Sequence, residues 1–235
     1  MFDFDFLRNI DTVEENLVTV FEVYLNDKTK IKSNFTIMRE LDCWQGRADV
    51  VKVINNSKLK YCKSQGLALT NLTNARILSL LHYRSPRTLK FIEKKTYFKI
   101  TTIKKSLREL IKCDLVIKTD NESYLLNPSF IFPSITFDAY EAKISNWRRA
   151  LYQAIQYKGF ANTSSVVMPT KHIANALLHS KDFLSNGIGL YEINHSGKVI
   201  KHIIAKKSQP RRKDFYLVGV GKYIEFISNN NSNED

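Results

Sequence analysis

Cysteine is scarce and wrongly spaced for cross-linking. The three present, Cys43, Cys62 and Cys113, are odd in number and far apart, with no Cys-x-x-Cys pair. That argues against a disulfide framework and thiolate zinc sites, and the expectation is reduced thiols in a cytoplasmic protein. His82, His172, His179, His195 and His202 show no zinc spacing either; His172 and His179 lie seven residues apart, too far for an adjacent-turn chelate. No apolar run is long enough to span a bilayer, and Met1–Phe6 lacks the basic start and apolar core of a secretion signal. The expectation is therefore no membrane partner. There is no glycine-rich phosphate loop, no Ser-His-Asp order, no nucleophile elbow and no internal repeat.

Acidic residues are also in deficit, and here the lack becomes a signal. The chain has 36 Lys and Arg against 23 Asp and Glu, for a formal net charge of +13 and a pI near 9.6. Such an excess favours a polyanionic partner, nucleic acid first and an acidic membrane surface second. At 235 residues and 43% hydrophobic content, one compact domain or two small ones can be built around a real core.

Apolar positions Val13, Leu17, Val20, Phe21 and Tyr24 predict a helix over 13–25, capped by Asp11 or Thr12. Strands follow over 35–41 and 48–54, with a turn at Asn55–Ser57. From about Leu67 the texture changes. Helices are predicted over 71–83, from Ser85-Pro86 onward, and over 102–113, then a hairpin of 115–117 and 124–126. Pro128 and Pro133 bracket a linker. A strand over 135–144, a helix from Trp147 to about Phe160, a short strand over 164–168, a helix over 171–179 and a hairpin around His195-Ser-Gly197 complete the pattern. Ser208–Lys213 reads as a basic loop.

The chemistry concentrates in Ile135-Thr-Phe-Asp-Ala-Tyr-Glu-Ala-Lys-Ile144. Period-two alternation places Glu141 and Lys143 on one face of a strand and Tyr140, Ala142 and Ile144 on the other. An inward-facing charged pair is costly unless it is partnered or holds a metal. A second acid, Asp49, stands in the strand Ala48–Ile54. One turn apart on the following helix, Gln153 and Tyr157 share a face. The bland alternatives are a solvated strand face, an Asp49–Arg47 pair and an ordinary helix face.

Taken in order, Asp49, Glu141-Ala-Lys143 and Gln153-Ala-Ile-Gln-Tyr157 resemble the PD-(D/E)XK nuclease superfamily, the last with the Gln-x-x-x-Tyr helix of its RecB-like branch. The likeness covers residues 10–60 and 134–170; no proline precedes Asp49. It implies an α/β fold, a restriction-endonuclease-like mixed sheet flanked by helices. Asp49, Glu141 and the Ala142 carbonyl would hold Mg²⁺, with Mn²⁺ as a substitute. Glu40 would be the auxiliary acid, and Lys143 would position or deprotonate water. Gln153 and Tyr157 would orient the water, the metal ligands or a phosphate. Three helices followed by a hairpin, with Leu107–Ile117 at their junction, resemble a winged helix-turn-helix.

The organisation expected is a core of 1–64 and 131–227, interrupted by a winged helix over 65–130, with a disordered tail over 228–235. DNA contacts are expected from Lys104, Lys105, Arg108 and Lys112 on the third helix, from Arg148 and Arg149, and from Arg211 and Arg212. The function expected is that of a metal-dependent endonuclease hydrolysing phosphodiester bonds of double-stranded DNA, in restriction or host defence by analogy with the family. A non-catalytic winged-helix DNA-binding regulator, and a nuclease subunit of a larger assembly, are the other readings. Cutting both strands with one site per chain favours a homodimer or a partner subunit.

Overall fold

The computed structural model describes residues 9–29, 35–56 and 61–231. Glu14–Thr29 forms α1, Phe35–Asp42 β1 and Arg47–Asn55 β2. The chain then builds a second unit and returns at β6, Ile135–Ala142. After β6 come α6 (Trp147–Tyr157), β7 (Thr163–Pro169), a 3₁₀ turn (Thr170–His172), α7 (Ala174–Leu178), α8 (Ser180–Asn186), β8 (Gly189–Ile193) and β9 (Val199–Ile203). These strands make one six-stranded mixed sheet in the order β1-β2-β6-β7-β8-β9. Its centre, β6 to β8, is parallel, and the flanking pairs are antiparallel.

Both faces of this sheet are covered, as parallel strands require. On one face α1 lays Leu17, Val18 and Phe21 over Val50, Tyr140, Ala142, Val167 and Tyr191. The Phe21 ring meets Tyr140 and Tyr191 edge-on, at 4.9 and 5.4 Å between centroids. On the other face Ala150 and Ala154 let α6 approach Val166, Met168 and Leu190, with Ile173, Ala176 and Phe183 filling in from the segments after β7. Arg39 on β1 fixes α1 further, by ion pairs to Glu15 and Glu22 and a 3.2 Å hydrogen bond to Thr19. Those three residues recur at helical spacing on one side of α1.

The second unit holds residues 57–134 and 212–235. Its described elements are α2 (Lys63–Thr70), α3 (Leu72–Leu78), β3 (Arg87–Thr88), α4 (Leu89–Thr96), α5 (Ile100–Lys112), β4 (Val116–Lys118), β5 (Ser123–Leu126) and α9 (Lys213–Asn231). The three strands form a sheet in the order β3-β5-β4. Among the described residues no helix is long and apolar enough to cross a membrane.

Several elements depart from the sequence expectation. The helix over 71–83 stops at Leu78, and a separate α2 precedes it. The helix expected from Ser85-Pro86 starts at Leu89, where the Thr88 hydroxyl caps Phe91 N; Pro86 biases the residue before it towards extended backbone. The helix over 171–179 is divided at Ile173, and α8 follows it. The largest difference is at the end. Residues 213–231 are helical and belong to the second unit, so the core ends near Arg211 rather than 227, and 228–231 are not a loose tail. Leu217, Val218, Val220 and Ile224 are buried at helical spacing and explain this. Residues 1–8, the end of the Asn55–Ser57 turn and the last four residues of the tail lie outside the described residues.

The α2–α9 contact is close because it is made by glycines. A Cβ on Gly221 would stand 2.7 Å from Gly66 O, Leu69 Cβ and Thr70 N. Gly221→Ala is expected to destabilise the protein by roughly 1–3 kcal/mol despite alanine's better helix propensity, because backbone atoms must move. Urea unfolding measures this; an unchanged or raised midpoint would contradict the packing.

Candidate active site

Tyr140 and Ala142 join the core under α1, so alternation sends the side chain of Glu141 to the α6 face. There it is fully buried. Tyr157, in the last turn of α6 and equally buried, brings its hydroxyl within 2.5 Å of Glu141 Oε2 and 2.9 Å of the Arg47 carbonyl. A phenol has one proton, and here it faces two acceptors. With Glu141 ionised, only one is served. With Glu141 protonated, the acid donates to the phenol and the phenol donates to Arg47, so both contacts are made. Burial first, and then the charge of Asp49, push the Glu141 carboxyl up to about 7; Tyr157 and Lys143 work against that rise.

Asp49 arrives from β2. The backbone ladder between β2 and β6 runs to Val50 opposite Tyr140. One residue further, Asp49 Oδ2 accepts a hydrogen bond from Ala142 N at 2.7 Å. A side-chain oxygen therefore serves the amide next to Glu141. Burial raises the Asp49 carboxyl above its ordinary range, opposed by the Ala142 amide and Lys143.

Lys143 follows β6 and is anchored by its own amide, which donates to Val167 O at 3.0 Å. Its ammonium lies 3.2 Å from Glu141 Oε1, 3.0 Å from Glu14 Oε2 and 3.3 Å from the Ala142 carbonyl. The side chain is only 15% exposed. Burial pulls this ammonium down, but Glu14, Glu141 and Asp49 outweigh it and hold Lys143 above its ordinary value. Glu14 was not singled out in the sequence. An acid in the first turn of a helix ordinarily complements the helix dipole, and no local spacing links it to a lysine 129 residues away.

The remaining candidates divide. Glu40 stands across the strand pair from Asp49, between the Arg39–Val50 and Leu41–Ala48 partners, with φ 53. Its carboxylate pairs with the Arg47 guanidinium. Gln153 lies one turn before Tyr157, with Oε1 buried and without a hydrogen-bond partner. Lys104, Lys105, Arg108 and Lys112 are exposed along α5, in the second unit. Arg148 and Arg149 are exposed in the first turn of α6, where Arg148 lies over the Trp147 ring. Arg211 is exposed, whereas Arg212 grips Asp214 through two hydrogen bonds of 3.0 and 2.7 Å.

Among the described residues, no three His, Cys, Asp or Glu side chains form a metal-holding group. The oxygens at this strand end are the Asp49 and Glu141 carboxylates and the Ala142 carbonyl. Glu141 Oε1 is buried, with the Lys143 ammonium 3.2 Å away. Two carboxylates and a carbonyl suit a hard cation that keeps several waters, as Mg²⁺ does. In comparisons with family models, curated proteins and solved structures, nothing matches the chain.

The raised Glu141 carboxyl has a stability consequence. Between its ordinary 4.5 and about 7, the folded protein keeps a proton that the unfolded chain has lost. Stability therefore falls as pH rises through that window, by about 3 kcal/mol in all. Glu141→Gln removes this titration. Urea unfolding in metal-free buffer is expected to show native stability falling by about that amount relative to the variant between pH 4.5 and 8; parallel profiles would refute the assignment.

Proposed function

We propose that the protein is a Mg²⁺-dependent DNA endonuclease of the PD-(D/E)XK type. The observation that carries this reading is the meeting of Asp49, Glu141 and Lys143 at one strand end, although Asp49 and Ala142 are 93 residues apart in the chain. Asp49, Glu141 and the Ala142 carbonyl would hold the cation. A bound Mg²⁺ supplies positive charge for the scissile phosphate and acidifies a water.

The protein's own groups do the rest. Tyr157 fixes the Glu141 carboxylate, and Glu14 fixes the Lys143 ammonium. Because its acidic neighbours hold it protonated, Lys143 acts as a cation that stabilises charge on the phosphate and orients the water, rather than as a base. Glu40 acts through Arg47, not as a ligand. The exposed cations of α5 would grip DNA backbone. Within the second unit the order α3-β3-α4-α5-β4-β5, with β3 paired to β5, supports a winged-helix reading of it. Reduced cysteines suit work in the cytoplasm, and a restriction or defence role suits the chemistry. Two copies of the chain, or a partner subunit, would serve the two strands of a duplex.

The exposed cations along α5 suit equally a second reading, a DNA-binding protein without cleavage. Plasmid and linear duplex incubated with Mg²⁺ or Mn²⁺ separate the two. Cleavage is expected, and Asp49→Ala or Lys143→Ala should each lower its rate by roughly 10³-fold or more with the fold intact. Tyr157→Phe, which loses one support of Glu141, should lower it roughly 10- to 100-fold. Salt-sensitive DNA binding without metal-dependent cleavage would establish the second reading; full activity in either alanine variant would displace the site.

A further inference from the structure

The turn between β1 and β2 carries an indole that the fold holds out into water. Trp44 is 60% exposed, whereas the other tryptophan, Trp147, is 7% exposed and stacked on His179. The Trp44 backbone is left-handed, φ 65, a conformation that sterics disfavour for any residue with a Cβ. Its amide donates to Asp42 Oδ1 at 2.7 Å, and its carbonyl accepts from Gln45 Nε2 at 3.1 Å. Gly46, φ 86, then turns the chain back into β2.

The turn is anchored to the candidate site. Gln45 packs so closely on Gly159 that a Cβ there would stand 2.8 Å from Gln45 Cγ. Gly46 lies against the Tyr157 ring, where a Cβ would stand 3.5 Å from Cε1. The next residue, Arg47, takes the Tyr157 hydrogen bond on its carbonyl, and Asp49 follows two residues later. Of the five described non-glycine residues with positive φ, Glu40 and Trp44 both fall in this one hairpin.

We propose that Trp44 stacks on an unpaired base of DNA bound beside the candidate site of Asp49, Glu141 and Lys143. This deepens the nuclease reading and rests on it. What it adds is a preference, beyond plain duplex, for DNA with an open base step, such as a single strand, a flap or a junction. An indole offers a flat π face, and every base offers another, so stacking needs no particular sequence. In an intact duplex those base faces are already covered by their neighbours, and the indole gains little there. The chain's net charge of +13 favours a nucleic acid over another protein as the occupant.

Binding of the full-length protein to an oligonucleotide of about 15 nucleotides, single-stranded and as duplex, tests this in EDTA, where no cleavage intervenes. Saturating single strand is expected to quench tryptophan emission. Trp44→Ala should weaken single-strand binding roughly ten-fold or more while changing duplex binding less than about two-fold, and Trp44→Phe should keep most of the affinity. Unquenched emission at saturation, or an unchanged affinity in a folded Trp44→Ala protein, overturns the stacking role and leaves the nuclease reading standing. If Trp44→Ala fails to fold, emission of the native protein and the affinity of Trp44→Phe decide. Failure to bind either DNA overturns both.

Discussion

A carboxylate with no access to water sets the terms for everything around it. Glu141 is enclosed between the sheet and α6, and its two oxygens face a phenol and an ammonium. Removing either neighbour would leave Glu141 with one partner fewer in the interior and push its carboxyl further towards the protonated form. The flanking structure can be understood as support for those neighbours. The small faces of Ala150 and Ala154 bring α6 close enough for Tyr157 to reach, and the Arg39 clamp holds the helix whose first turn carries Glu14. Burial of this kind does not arise from core packing, which apolar side chains accomplish better.

The charges are graded by depth. Glu141 lies deepest, Asp49 and Lys143 are half-buried, and the Glu40–Arg47 pair lies outermost. Each layer moderates the next: Asp49 raises Glu141, Lys143 lowers both acids, and the acids hold Lys143 protonated. A cation seated among the oxygens would relieve the mutual repulsion of Asp49 and Glu141 and weaken the grip on Lys143. The cluster as it stands is thus arranged so that positive charge is welcome and additional negative charge is not.

Much of this was legible in the chain because strand alternation is a strong local signal. The opposite facing of Tyr140 and Glu141 and the Gln153–Tyr157 face on the next helix follow from periods of two and of three to four residues, whereas the meeting of Asp49 with Glu141 was implied only by the order of elements and the family resemblance. What escaped was either non-local or ambiguous. Glu14 looks like any acid at a helix start, and its meeting with Lys143 depends on how α1 crosses the sheet. The Glu40–Arg47 pair depends on a backbone irregularity that sequence does not announce. The final helix was missed because its apolar residues fit the flanking core as readily as a separate unit; the two glycines that allow its close docking read, in isolation, as helix breakers.

The return of α9 to the second unit reaches into the way the molecule is made. Translation delivers α2 to β5 early, then the whole remainder of the sheet, and only afterwards the helix that packs on Gly66 and Leu69. The unit begun second is finished last. The place for that helix must wait, open, while some 80 residues of the other unit emerge from the ribosome, so a nascent chain stalled before α9 would carry a completed six-stranded sheet and a second unit without its last helix.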